Sequence, residues 1–196
     1  MKLLAIIGSQ RKDGNSHLLA KEVLRNVKAE CEIIQLAEKE IEFCDLCGKC
    51  TTGDCILEDD FNQILEKMKE ADAIIFSFPK YFSLSSKFLC FLERLRGIDH
   101  FKEYPGGRKT GVKPNPNFAP LFKGKPCCLF VVSASGKAEE PLKLAAHVLE
   151  GTGMKLLQND SWPFLGVLVR GEDRGEVLQD KKGIEDCIRL VRKLIS

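Results

Sequence analysis

Four cysteines within twelve residues are the part of this sequence whose chemistry is most specific. They follow a C-x2-C-x2-C-x4-C pattern at Cys44, Cys47, Cys50 and Cys55. A buried cysteine behaves as a small hydrophobe, and no core helix or strand needs four of them so close together. Three thiolates at this spacing can bend around one iron-sulfur cubane, and Gly53 lets the backbone turn so that the fourth closes the site. The pattern therefore favours a [4Fe-4S] cluster on these four cysteines.

Two other uses of the four cysteines stay open. Structural zinc is the main alternative, because thiolates are also good ligands for zinc. A disulfide pair is less favoured, because nine cysteines in a chain without a recognisable secretory signal indicate reduced thiols in a cytoplasm. We therefore expect a cytoplasmic protein. The other cysteines lie elsewhere in the chain and are expected to be structural: Cys31, Cys90, Cys127, Cys128 and Cys187.

Length and charge narrow the class of protein. A chain of 196 residues is long enough for one well-buried α/β domain, which we expect to span residues 1–196. The net charge of +2 and the lack of a basic arm argue against nucleic acid as the main partner. No segment approaches the length of a membrane span. No Ser-His-Asp or paired-carboxylate pattern stands out, so hydrolysis is not expected and no catalytic side chain is assigned.

Apolar segments of strand length alternate with segments of helical period. Strands are predicted over residues 2–7, 31–36, 73–78, 127–133 and 154–158, with helices between them and a closing helix near residues 184–195. Such alternation implies a mostly parallel sheet with helices on both faces. Right-handed crossovers then place every strand-to-helix loop at one sheet edge, where ligands bind. The cysteine run falls in the connection after the second strand.

The loop after the first strand is rich in hydrogen-bond donors. Ser9, Arg11, Asn15 and Ser16, with the N-terminus of the helix that starts there, can surround one phosphate. His17 lies in the first helical turn and either helps to bind phosphate or is a plain surface residue. The loop lacks both G-x-G-x-x-G and G-K-[ST], which favours a single phosphomonoester over a dinucleotide or triphosphate. The alternative is a simple turn with a helix cap.

Two further loops are predicted at the same edge. After the third strand, Pro79 stiffens the turn, and Tyr81 and Phe82 could cover a flat ring while backbone groups bond its edge. Aromatic residues after a strand are otherwise usually core residues. After the fourth strand, Ser133 and Gly136 belong to a loop of small residues. Three such loops, one of them binding phosphate, describe a mononucleotide site.

These motifs resemble one known family. The stretch GSQRKDGNS at residues 8–16 resembles the phosphate loop of the flavodoxin-like NADPH-dependent FMN reductases. The ring-binding loop of that family resembles a second stretch, which consists of Pro79, Tyr81 and Phe82 followed by Ser85. The cysteine run resembles the iron-sulfur flavoprotein branch. Over most of residues 1–160, the resemblance implies FMN, a [4Fe-4S] cluster, the flavodoxin-like strand order 2-1-3-4-5, and a homodimer or homotetramer. Two features depart from the family: Lys80 replaces a small apolar residue, and the third loop has only Gly136 where relatives are glycine-rich.

The sequence is therefore interpreted as an electron-transfer flavoprotein. A cluster exchanges one electron at a time and FMN stores two, so the pair can couple a one-electron donor such as ferredoxin to a small-molecule two-electron acceptor. One alternative is an NAD(P)H-dependent FMN or quinone reductase with a structural metal site. Another is a non-enzymatic redox- or metal-sensing binding protein.

The segment 98–125 interrupts the regular pattern with four prolines and four glycines. A loop of this length in a compact domain is usually functional or disordered, and we predict a flap that gates the site or docks a partner. Its basic residues outnumber its acidic ones, which favours an acidic partner.

Overall fold

A six-stranded parallel sheet runs through the centre of the molecule, and helices cover both of its faces. The structure is a computed structural model and describes residues 1–105 and 113–196. The strands are β1 Lys2–Ile7, β2 Glu30–Gln35, β3 Ala73–Pro79, β4 Pro126–Ser133, β5 Lys155–Leu156 and β6 Val167–Arg170. The helices are α1 Asn15–Arg25, α2 Phe61–Glu70, α3 Ser86–Glu103, α4 Glu139–Gly151 and α5 Lys181–Leu194, with short 3-10 turns at Leu36–Glu38 and Glu176–Gln179. Across the two described stretches, no helix is both long and apolar enough to cross a membrane.

The strand order is β2-β1-β3-β4-β5, and every pairing is parallel. The predicted flavodoxin-like order is therefore confirmed. The fifth position differs in detail, because two short strands share it: β5 pairs with the start of β4, and β6 pairs with its end. The predicted strand at 154–158 is reduced to two residues, since the chain leaves the sheet after Leu156 and rejoins it at Val167.

The side chains of each strand pack alternately into two separate hydrophobic cores, one on each face of the sheet. Leu4 and Ile6 of β1 pack on the face that α2, α3 and α4 cover. Leu3 and Ile7 point to the other face, which α1 and α5 cover. Because successive side chains of a strand point to opposite faces, a strand buried on both sides reads as a continuous apolar run. This is why β1, β3 and β4 were recognisable in the sequence.

Helix α3 is longer than the sequence pattern indicated. It continues to Glu103, because Ile98 and Phe101 extend its apolar face into the core. The irregular segment predicted from residue 98 therefore begins only at Tyr104. Residues 106–112 of the predicted flap lie outside the described residues.

Candidate functional site

A cavity of about 470 Å³ lies at the carboxyl edge of the sheet. This volume falls within the range of about 300–1,000 Å³ that is typical of small-ligand sites. Its walls come from the loops that follow β1, β3, β4 and β6, as expected for a parallel sheet. The lining residues are Ser9, Arg11, Lys12, Gly14, Asn15, Ser16, Pro79, Lys80, Tyr81, Val132, Ala134, Gly171, Glu172 and Arg174.

The first loop wraps around the N-terminus of α1. The Ser9 hydroxyl accepts a hydrogen bond of 3.0 Å from the backbone N–H of Arg11, which fixes the turn. The Ser16 hydroxyl is buried and has no hydrogen-bond partner among the described residues. Leaving a buried polar group unpaired is costly, and helix N-termini attract anions. An anionic group such as a phosphate therefore fits this end of the cavity.

Close packing at Gly8 joins this loop to α3. A Cβ at Gly8 would lie only 2.6 Å from Cγ of Phe88, so no side chain fits there. The backbone N–H of Gly8 donates to the carbonyl of Ser77 at 2.8 Å. The hydroxyl of buried Ser85 donates to the carbonyl of Gly8. Ser85, which the family resemblance placed at the cofactor, is therefore a residue that holds the loop and does not line the cavity.

Asn15 and His17 also make contacts other than those predicted from the sequence. The Asn15 side chain donates to the carbonyl of Asp173 and accepts from the backbone N–H of Gly175, both at 2.8 Å. Asn15 thus ties α1 to the loop after β6. Nδ1 of His17 lies 3.1 Å from the carboxylate of Asp13, and His17 is not among the lining residues.

The opposite wall of the cavity comes from the loops after β3 and β4. The backbone N–H of Lys80 donates to the carbonyl of Val132 at 2.7 Å, which holds this wall against β4. Gly136 has a φ of +75°, and a Cβ there would lie 3.1 Å from Nζ of Lys80. Glycine at 136 thus lets the ammonium group rest against the backbone. Tyr81 lines the cavity and is 48% exposed.

Three predicted residues of this wall lie away from the cavity surface. Phe82 is 102% exposed and covers nothing in the described structure. The Ser133 hydroxyl donates to the carbonyl of Ser135 at 2.6 Å and so shapes the third loop. Ser133 and Gly136 are not lining residues, whereas Val132 and Ala134 are.

Sequence reasoning missed the fourth wall of the cavity. Gly171, Glu172 and Arg174 follow β6, and Arg174 also donates through Nε to the carbonyl of Asp13 at 3.2 Å. The available signal was the apolar run after Gly166 followed by the stretch RGEDRG at residues 170–175. A loop after a parallel strand belongs at the ligand edge, so recognising β6 would have found these residues.

The four cysteines of the run line a second, small cavity against α3. Cys50 is buried, Cys44 and Cys55 are partly buried, and Cys47 is exposed. Gly97 of α3 lies beside the run, and a Cβ there would make ordinary contact with Sγ of Cys44, at 3.6 Å. In the described part of the chain, no three His, Cys, Asp or Glu residues lie close enough to hold one metal ion. The donor set suits an iron-sulfur cluster or zinc.

Backbone geometry and local hydrogen bonds shape the cysteine loop. Leu46, Gly48 and Gly53 all have positive φ, which gives three tight changes of direction. The side chain of Asn62 both donates to and accepts from the backbone of Cys55, at 2.7 and 3.0 Å. Burial raises the pKa of the Cys50 thiol to about 11, and a thiol must lose its proton before it can act as a metal ligand.

A buried ion pair anchors both ends of the loop to α3. The carboxylate of Asp59 accepts from the backbone N–H groups of Glu42 and Phe61, at 2.8 and 3.0 Å. Arg94 pairs with Asp59 and donates to the carbonyl of Glu42 at 3.3 Å. Both side chains of the pair are almost fully buried, at 1% and 4% exposure. The sequence pattern gave no hint of this pair, because it joins a loop to a helix 35 residues away.

The two cavities lie next to different positions along α3. Its first residue, Ser86, accepts a hydrogen bond from Gln10 of the first loop, whereas Gly97 contacts the cysteines. At about 1.5 Å per residue, these two positions are roughly 16 Å apart along the helix.

Comparisons with known proteins agree with this geometry. The family model for NADPH-dependent FMN reductases matches residues 1–164. An iron-sulfur flavoprotein of Methanocaldococcus jannaschii is 42% identical over 103 residues, which cover 50% of this chain and 53% of that protein. An iron-sulfur flavoprotein of Archaeoglobus fulgidus is 29% identical over 160 residues, covering 79% of this chain and 64% of that one. This chain thus spans between about half and two thirds of these relatives.

A solved structure supports the fold. The WrbA-like flavodoxin from Agrobacterium tumefaciens superposes with a TM-score of 0.59 at 16% identity, covering 99% of this chain and 97% of that one. At such low identity, the likeness establishes a flavodoxin-like fold and nothing further.

Proposed function

We propose that this chain, which belongs to the NADPH-dependent FMN reductase family, is an iron-sulfur flavoprotein that passes electrons between a [4Fe-4S] cluster and FMN. The observation that carries the proposal is the convergence of four cysteines on one cavity beside α3, in a chain whose sheet edge forms a separate mononucleotide-sized cavity. The names of the archaeal relatives support the same assignment.

In this proposal, the cavity at the sheet edge holds FMN. The N-terminus of α1, the free Ser16 hydroxyl and the Arg11 side chain bind the phosphate. Lys80 and Tyr81 lie on the opposite wall and would hold the isoalloxazine ring. When bound, FMN supplies two-electron storage. The Lys80 ammonium favours a negatively charged reduced ring, because opposite charges attract strongly in a partly desolvated site.

Cys44, Cys47, Cys50 and Cys55 hold the cluster, which supplies one-electron exchange when bound. The protein orients the thiolates and limits the access of water through α3 and the cysteine loop. We propose a one-electron protein donor such as ferredoxin, a small-molecule acceptor, and a homodimer or homotetramer. The cytoplasmic location expected from the sequence remains a prediction.

A second candidate function follows from the family description. An NADPH-dependent FMN reductase in which the cysteines hold a structural metal would use the same FMN cavity. The two candidates differ in the electron donor and in the metal content.

Anaerobic purification with analysis of flavin, iron, sulfide and zinc tests the proposal. We expect the protein to contain FMN, and to contain iron and acid-labile sulfide in a 1:1 ratio to each other. We also expect reduced ferredoxin to reduce the flavin. Zinc in place of iron, with rapid flavin reduction by NADPH, would establish the second candidate instead. A protein that binds no FMN would contradict both.

A further inference from the structure

Arg94 is a buried cation that lines the cysteine cavity. It lies on α3 one turn before Gly97, and its side chain is only 1% exposed. A buried charge requires a partner, because removal from water costs several kcal/mol. The ion pair with Asp59 meets that need through Nη1 alone.

Neighbouring groups leave one edge of the guanidinium unused. The Phe61 ring covers its flat face, with Cζ of Arg94 4.2 Å from the ring centroid. Asp59 and the carbonyl of Glu42 occupy Nη1. Nε and Nη2 are both buried and have no hydrogen-bond partner among the described residues. Two unpaired guanidinium nitrogens, with three N–H donors between them, are unexpected at a cavity lined by four thiols unless the cavity receives an acceptor.

The cavity places Arg94 next to sulfur. Arg94 and the four predicted ligands, Cys44, Cys47, Cys50 and Cys55, line the same small cavity. Arginine presents its N–H groups in a rigid fork, so the unused edge is fixed in direction by the Asp59 contact.

We propose that Arg94 is a positioning residue for the iron-sulfur cluster: its Nε and Nη2 groups donate hydrogen bonds to the thiolate ligands, and its charge raises the reduction potential of the cluster. The proposal rests on the proposed function. Reduction adds negative charge, and a fixed buried cation nearby stabilises the reduced form more than the oxidised form. Hydrogen bonds to the sulfurs and burial are known determinants of cluster potentials.

Removing Arg94 alone would leave Asp59 as an unpaired buried charge and could unfold the protein. The test therefore compares Asp59→Asn, in which the proposed thiolate ligands are the remaining counter-charge of Arg94, with the double variant Asp59→Asn/Arg94→Gln, in which neither charge remains. Cluster potentials are measured by redox titration with EPR detection, and FMN potentials by absorbance. Between these two variants, we expect the one-electron reduction equilibrium to fall at least tenfold, equivalent to about 59 mV.

Two further variants separate charge from hydrogen bonding and from general effects. In the Asp59→Asn background, Arg94→Lys keeps the charge but loses the rigid guanidinium edge formed by Nε and Nη2, so its cluster potential should lie between those of the other two variants. Arg96→Gln removes a positive charge from the same helix; Arg96 packs towards Gly151 and not towards the cysteine cavity. We expect it to leave the cluster potential within about twofold in equilibrium constant, which is roughly 18 mV.

The outcomes are distinguishable. Absence of iron and sulfide from the wild-type protein would overturn the proposed function, and this inference with it. An iron-loaded protein whose cluster potential is equal in Asp59→Asn and the double variant would overturn this inference alone. Loss of the cluster only when Arg94 is replaced, with circular dichroism showing an intact fold, would support the positioning role.

Discussion

Side chains around the first loop divide into those that face the cavity and those that hold the loop. Arg11 and Ser16 face the cavity. Ser85 makes a hydrogen bond within the protein, and Asn15 does so while also lining the cavity. Residue type alone did not separate the two groups, because all four can donate hydrogen bonds to a phosphate. The separation depends on long-range partners: the loop after β6 supplies those of Asn15, and the carbonyl of Gly8 accepts from Ser85.

Replacing Arg11 with Ala should weaken FMN binding. A charge-assisted hydrogen bond contributes about 1.5–3 kcal/mol, so the dissociation constant should rise by about tenfold to a hundredfold. Flavin fluorescence titration measures it. Arg25→Ala, at the exposed far end of α1, is the matched control and should leave affinity unchanged. An unaltered affinity in Arg11→Ala would show that the phosphate lies elsewhere.

At the scale of elements, α3 packs against both the first loop and the cysteine loop. A glycine lies at each contact: Gly8 of the first loop packs against α3, and Gly97 of α3 packs against the cysteine loop. The two contacts differ in tightness. A Cβ at Gly8 would overlap the Phe88 ring, while a Cβ at Gly97 would make ordinary contact with Cys44.

Alanine at these two glycines should therefore have opposite effects on stability. Gly8→Ala should lower the free energy of unfolding by about 1–3 kcal/mol, because the core is overpacked. Gly97→Ala, inside a helix, should raise it by about 0.5–1 kcal/mol in the metal-free protein. Urea unfolding of both variants provides the comparison. Equal effects of the two changes would mean that the packing of α3 is not as described.

Asp99 links α3 to the segment after it and should make stability depend on pH. Its carboxylate accepts from the backbone N–H of Leu121 at 2.9 Å, and burial raises its pKa to about 6. In the unfolded chain the pKa is about 3.9. Between these values the folded protein binds more protons than the unfolded one, so the free energy of unfolding falls as pH rises, by at most about 3 kcal/mol.

Asp99→Asn should abolish this slope and stabilise the protein at pH 7, since no charge is then buried. Unfolding by urea at several pH values from 4 to 7 tests it, and Asp72→Asn, at an exposed position, serves as the control. A wild-type stability that rises steadily over this range would contradict the prediction.

The sequence predicted the elements whose side chains are buried on both faces or along one helical face. It therefore yielded β1, β3 and β4, whereas the sheet order was implied by the family resemblance. It missed β6, which has only four residues and pairs with the end of β4 alone. It ended α3 too early, because Gly97 interrupts the pattern although Ile98 and Phe101 are buried. Tertiary packing decides both cases, and local sequence does not record it.

For the candidate sites, the sequence identified the residue types but not their partners. Seven of the twelve residues assigned to FMN line the cavity: Ser9, Arg11, Asn15, Ser16, Pro79, Lys80 and Tyr81. Their roles in binding remain predictions. Long-range contacts, such as the Arg94–Asp59 pair, could not be predicted because nothing in the local pattern brings the two residues together.

At the scale of the whole molecule, the basic residues of the predicted flap are not equivalent. Lys102 and Lys125 donate to backbone carbonyls and so belong to the fold. Lys113 and Lys123 are exposed. Arg108 and Lys109 lie outside the described residues.

The double variant Lys113→Gln/Lys123→Gln should slow flavin reduction by an acidic protein donor. Surface charges act mainly on the association rate, and salt screens them, so the difference should disappear at high ionic strength. Stopped-flow rates at several salt concentrations measure it, with Lys21→Gln on α1 as the control. If the wild type and the double variant were reduced at equal rates at low salt, the basic residues of the flap would not serve to dock an acidic donor.

Loss of one cysteine ligand should separate the two redox centres. Cys47→Ala should abolish the cluster, yet the protein should fold and bind FMN, because Cys47 is exposed and far from the sheet-edge cavity. Chemical reductants should still reduce its flavin, while reduction by ferredoxin should collapse. Anaerobic stopped-flow measures both rates, and Cys31→Ala, another exposed cysteine, is the control. If ferredoxin reduced the flavin of Cys47→Ala at the wild-type rate, the cluster would not lie on the path of the electrons.

The ion pair that anchors the cysteine loop also bears on how the protein survives oxygen. Asp59 and Arg94 join the two ends of the loop through contacts that involve no metal. Closing a free loop of about 17 residues costs roughly 2.5 kcal/mol in chain entropy, and here folding itself meets that cost. If the protein holds the proposed cluster, loss of iron would therefore leave the ends of the cysteine loop fixed, and we expect iron and sulfide to rebuild the cluster without unfolding of the protein.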